Sequence, residues 1–102
     1  MGIRRKEGVL LRGVKPELNL ALQIAASYYD RKGIGDMFVT SLLDGVHSRG
    51  SLHYVGYAAD LRIWNIDEVE SFTEGLAEEL GPEFDVVLES DHIHLEFQPK
   101  EI

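Results

Sequence analysis

A chain of 102 residues with 44% apolar and 27% charged residues has the length and make-up of one folded domain that buries a single core, and not of a disordered segment. Acids outnumber lysines and arginines 18 to 10, for a net charge of −8, and the one basic run, Arg4-Arg5-Lys6, is too short to follow a phosphate backbone, which argues against nucleic acid as a partner. There is no cysteine, so disulfides, thiolate ligands and a cysteine nucleophile are excluded, and any metal must be held by nitrogen and oxygen.

The opening stretch MGIRRKEGVLLRGVKPEL lacks the uninterrupted apolar run of a signal peptide, and no later segment approaches the ~18 apolar residues of a membrane span. The expectation is a chain that is cytoplasmic on synthesis and has no membrane partner. From Pro16, PELNLALQIAASYYDRKG sets Leu18, Leu22, Ala25, Ala26 and Tyr29 on one stripe, with Pro in the first turn and Gly33 just past the end, which predicts a first helix. Residues 36 to 43, DMFVTSLL, are rich in apolar and β-branched types and predict a strand running into the polar loop 44 to 51.

A second strand is predicted over YAADLRIW, residues 57 to 64. In the segment that follows, Ile66, Val69, Phe72, Leu76 and Leu80 recur at helical spacing. Asn65 or Asp67 is placed to cap this second helix, and Gly81 with Pro82 to end it. FDVVLES and HIHLEF then predict two short strands in a tight hairpin, or one bent strand. The order α, β, β, α, β, β predicts a small single α+β domain, with two helices on a mostly antiparallel sheet.

Two features of this pattern bear on chemistry. On a strand, residues two apart share a face, so His92 and His94 project together, and Asp60 sits among Ala58, Ala59 and Leu61 where a carboxylate needs a partner. A metal ion supplies one, and two imidazoles with one carboxylate, leaving a position open, is a donor set typical of catalytic zinc.

The stretch SLHYVGYAAD, residues 51 to 60, fits the Ser-x-His-x-x-Gly-x-Ala-x-Asp motif of the D-Ala-D-Ala metallopeptidases. DHIH, residues 91 to 94, resembles the second motif of that family and of the wider group it forms with lysostaphin-type peptidases and the hedgehog signalling domain. HSRGSLHYVGYAADL and FDVVLESDHIH also look like the hedgehog versions of these segments, in the right order. The resemblance covers about residues 37 to 97, with the metal motifs inside 47 to 97.

What it implies is a hedgehog-like zinc fold over the whole 1 to 102 domain, with Zn2+ bound by His53, Asp60 and His94. By the same resemblance Asp91 is the general base for the attacking water, and His92 a hydrogen-bond donor to the oxyanion. Glu89 is a second candidate base. Ser51 and Arg49 are candidate substrate-binding residues, Arg49 as the one cation expected near the site. The implied substrate is the peptide stem of bacterial peptidoglycan, cut by a carboxypeptidase or an endolysin-like endopeptidase, compatible with a phage-encoded protein.

The sequence departs from the cell-wall carboxypeptidases at one point. They place an arginine shortly after the Thr-Ser strand end, where this chain has Leu43 and Asp44. That departure keeps a second reading open, in which a hedgehog-like zinc module binds without turnover, for instance in a phage virion. Of the aromatic residues, Tyr28, Tyr29, Phe38, Trp64 and Phe72 are expected in the core. The acidic face of the second helix is expected to be a solvated surface.

Overall fold

The elements of the described residues are, in chain order, β1 (Ile3–Arg5), α1 (Pro16–Arg31), β2 (Met37–Leu43), β3 (Ala58–Arg62), α2 (Val69–Leu80), β4 (Phe84–Leu88) and β5 (His92–Phe97). The computed structural model describes residues 2–5, 16–43 and 58–98. The strands form one sheet in the order β1-β2-β3-β5-β4, antiparallel throughout except for β1, which runs parallel to β2. The fold is the expected small α+β domain.

Both helices form for the reasons the sequence suggests. Pro16 opens α1, where its missing N–H is one that no helix would satisfy anyway. The stripe Leu18, Leu22, Ala25, Ala26 and Tyr29 is buried, joined by Ala21 and Tyr28. α2 buries Phe72, Thr73 and Leu76 and stops at Gly81, whose φ of 94° suits a residue without a Cβ. The two helices meet closely at Gly75, where an added Cβ would collide with the Tyr28 hydroxyl. That hydroxyl donates to the Phe72 carbonyl at 3.0 Å, with the two rings 4.9 Å apart.

Against this layer the sheet presents Met37, Val39, Ala59, Leu61, Ile93 and Leu95, all inaccessible to solvent. Burying a Leu or Ile side chain stabilises the fold by roughly 1.5–3 kcal/mol. The pairings Leu61 with Ile93 and Ala59 with Leu95 are therefore held from the core side. Because side chains alternate along a strand, this same pairing sends Asp60, Arg62, His92, His94 and Glu96 to the opposite face. Among the described residues, no helix is long and apolar enough to cross a membrane.

Four local expectations need correction. β1 was not foreseen: three residues are too short for a visible pattern, and their register with Met37, Phe38 and Val39 is a long-range pairing. The second strand ends at Arg62, not at Trp64, because the chain turns there and Asn65 takes a positive φ of 68°. Neither Asn65 nor Asp67 caps α2; its N-cap is Glu68, which makes no side-chain cap bond. Trp64 is not a core residue but is 65% exposed, and Phe38 lies half-buried, stacked on Arg62.

Candidate metal and catalytic site

Asp60, the last residue of the first motif segment, meets the histidines of the second across two neighbouring strands. Asp60 of β3 lies directly across from His94 of β5, and Arg62 across from His92. The Asp60 Oδ1 atom is 2.9 Å from His94 Nδ1 and 3.6 Å from His92 Nε2. The first is a hydrogen bond and the second is an ion-pair separation. The acid in an apolar strand thus has the partners it needs, supplied by both imidazoles.

A β-bulge sits beside this cluster. Val39 pairs with Leu61 and Ser41 with Asp60, so Thr40 is the extra residue, and its hydroxyl donates to the Asp60 carbonyl at 3.3 Å. Bulges re-aim side chains and gather next to sites. Here the bulge faces the strand position that carries the carboxylate.

Glu96 is the residue that the sequence reading missed. It continues the His92, His94 alternation on the same face of β5, and its Oε1 lies 3.0 Å from His94 Nε2. Gln98 Nε2 donates to the other oxygen, Oε2, at 2.6 Å. Extending the period-two pattern of HIHLEF by one step would have found it. His94 is thereby held between two carboxylates, one on each ring nitrogen, and its side chain is only 22% exposed.

Asp91 belongs to the turn between β4 and β5, which is closed by the Glu89 amide donating to the His92 carbonyl at 2.8 Å. Its side chain is 84% exposed and places Oδ1 2.7 Å from His92 Nδ1. Glu89, also exposed, contributes its backbone to the turn. A further hollow of about 290 Å³ is lined by Thr40, Arg62, Trp64, Asp91 and His92. Arg62 is thus a cation beside the site that the sequence reading did not include. His53, Ser51 and Arg49 lie outside the described residues.

Asp60 and His94 are oxygen and nitrogen donors of the types that zinc takes. Asp60 Oδ1 and His94 Nδ1 are 2.9 Å apart, near the edge of about 3.3 Å that two zinc ligands span in tetrahedral coordination. Among the described residues, no three His, Asp or Glu side chains form a group that could hold a metal ion. The third ligand implied by the resemblance, His53, is not among them.

Without metal, the surroundings of His94 set a pH dependence. Burial pulls its pKa down, but its hydrogen bonds to Glu96 and then Asp60, with the charges of those carboxylates, outweigh that and raise it above the ordinary 6.5. A raised folded-state pKa means that the stabilisation is complete below 6.5 and is lost as pH rises through the folded value. The urea midpoint of EDTA-treated protein should therefore fall as pH rises above about 6.5, and the fall should be absent in His94→Gln. An equal slope in both proteins would locate the titration elsewhere.

No family model matches the chain, and neither the curated proteins nor the solved structures give a match.

Proposed function

We propose that the chain is a small zinc peptidase that hydrolyses an amide in the peptide stem of bacterial peptidoglycan. The observation that supports this most is the meeting of Asp60 with His94 and His92 across β3 and β5, 34 residues apart in sequence for the first pair. The motif that resembles a zinc peptidase in two separate segments has its acid and its last histidine in hydrogen-bond contact. In this reading His53, Asp60 and His94 hold the ion, and Glu96 orients His94 through the ring nitrogen that faces away from Asp60, as outer partners of metal-bound imidazoles do.

When bound, zinc polarises the scissile carbonyl and lowers the pKa of water to roughly 7. The protein's own groups do the rest. Asp91, exposed at the turn, has one oxygen engaged by His92, and the other, which no described residue contacts, takes the proton of the attacking water. His92, fixed by that contact through Nδ1, donates from Nε2, when protonated, to the negative charge that develops on the carbonyl oxygen. Asp91 later returns its proton to the leaving amine. The C–O bond is made first, as water adds to the carbonyl carbon, and the C–N bond breaks afterwards, when the oxyanion re-forms the carbonyl and the leaving nitrogen takes the proton; no other reactant is needed.

Elemental analysis combined with digestion of purified muropeptides tests the proposal. The expected result is one zinc per chain and release of a stem-peptide fragment that stops on treatment with chelator. Full zinc occupancy without cleavage of any muropeptide would defeat the enzyme reading in favour of a zinc-binding module.

A further inference from the structure

Arg62 is the most unusual cation among the described residues. Its guanidinium lies 4.2 Å from the centroid of the Phe38 ring and 3.8 Å from that of Trp64, in contact with both aromatic faces. Stacking of this kind uses the π face of the group and leaves its N–H edge available, the edge that matches a carboxylate in a two-pronged fork. Among the described residues no acid pairs with it, whereas Arg4 and Arg31 pair with Asp36 and Glu79 at 2.8 Å. The backbone beneath is fixed as well: the buried Tyr29 hydroxyl donates to the Arg62 carbonyl at 3.0 Å.

Its location gives this cation a use. Arg62 lies directly across from His92 on the paired strand, and both line the hollow of about 290 Å³ that also takes in Asp91, Thr40 and Trp64. A chain with net charge −8 repels anions at long range, so a bound carboxylate needs a local, oriented cation.

We infer that Arg62, clamped between Phe38 and Trp64, anchors the terminal carboxylate of the substrate one residue beyond the scissile bond, which makes the protein a carboxypeptidase and not an endopeptidase. This rests on the peptidase reading of the adjoining residues. It assigns to the hollow the amino acid that leaves.

The test uses the zinc-loaded 102-residue chain and its single tryptophan, Trp64, as the reporter. Fluorescence is titrated with N-acetyl-D-alanyl-D-alanine and with the same dipeptide as its C-terminal amide, and hydrolysis of an acyl-D-alanyl-D-alanine substrate and its amide is followed in parallel. The expected result is saturable binding of the acid at concentrations at least tenfold below those needed for the amide. Arg62→Gln should bind the two alike, with unchanged zinc content, and Arg62→Lys should retain part of the preference.

Equal binding of acid and amide by the wild type would overturn the inference, with no reliance on any variant, and so would an acid preference that survives in Arg62→Gln. Discrimination in fluorescence with no hydrolysis would leave the anchor standing and sink the peptidase reading. Hydrolysis of acid and amide at equal rates would do the reverse.

Discussion

His94→Ala should leave the protein with far less than one zinc per chain and a measurably looser sheet. His94 joins two carboxylates: Asp60 at 2.9 Å on one ring nitrogen and Glu96 at 3.0 Å on the other. Loss of an outer partner of a metal ligand already weakens binding about 10–100-fold, so loss of the ligand itself should exceed about 100-fold. Removal of the ring also leaves two half-buried carboxylates facing each other without their shared partner, which costs about 1–3 kcal/mol even before metal is considered. Isothermal titration with zinc, and urea unfolding of the metal-free forms, measure the two effects separately. Full occupancy in His94→Ala would remove it from the ligand set.

The second large effect is kinetic. Asp91→Ala should keep both zinc and fold, because the side chain is exposed on the turn and its one described contact is with His92. Loss of a general base lowers rates by about 10²–10⁴, so muropeptide cleavage should fall at least 100-fold on this basis while zinc content stays at the wild-type value. Glu89→Ala should be milder, since that residue contributes to the turn through its backbone amide. Cleavage at the wild-type rate by Asp91→Ala would show that the base is another group.

The fold class was legible because its signals are local. The helical stripes Leu18 to Tyr29 and Phe72 to Leu76, and the alternation of HIHLEF, state which side of each element is apolar, and the structure buries those sides. The partnership of Asp60 was legible for a related reason: a carboxylate among Ala58, Ala59 and Leu61 is out of place unless something meets it. What was not legible depends on residues brought together by pairing. The stack of Arg62 needs Phe38 from β2, the bulge at Thr40 shows only in the register of two strands, and β1 exists only because β2 is there to accept it. Glu96 lay within reach of the same alternation that marked its neighbours, but an acid near a chain end reads as an ordinary surface charge until the imidazole beside it is seen.

Strand β5 divides its residues strictly by parity: Ile93 and Leu95 go to the core, and His92, His94 and Glu96 to the polar face. A one-residue deletion in β5 itself, such as loss of Ile93, would exchange the two sets for the residues beyond it, pushing imidazole against α1 and leucine toward Asp60. No one-residue shift keeps the core and spoils the chemistry, or the reverse. In-frame single-codon deletions within β5 should therefore yield insoluble protein, whereas two-codon deletions, which restore parity, should yield folded chains that have lost part of the site.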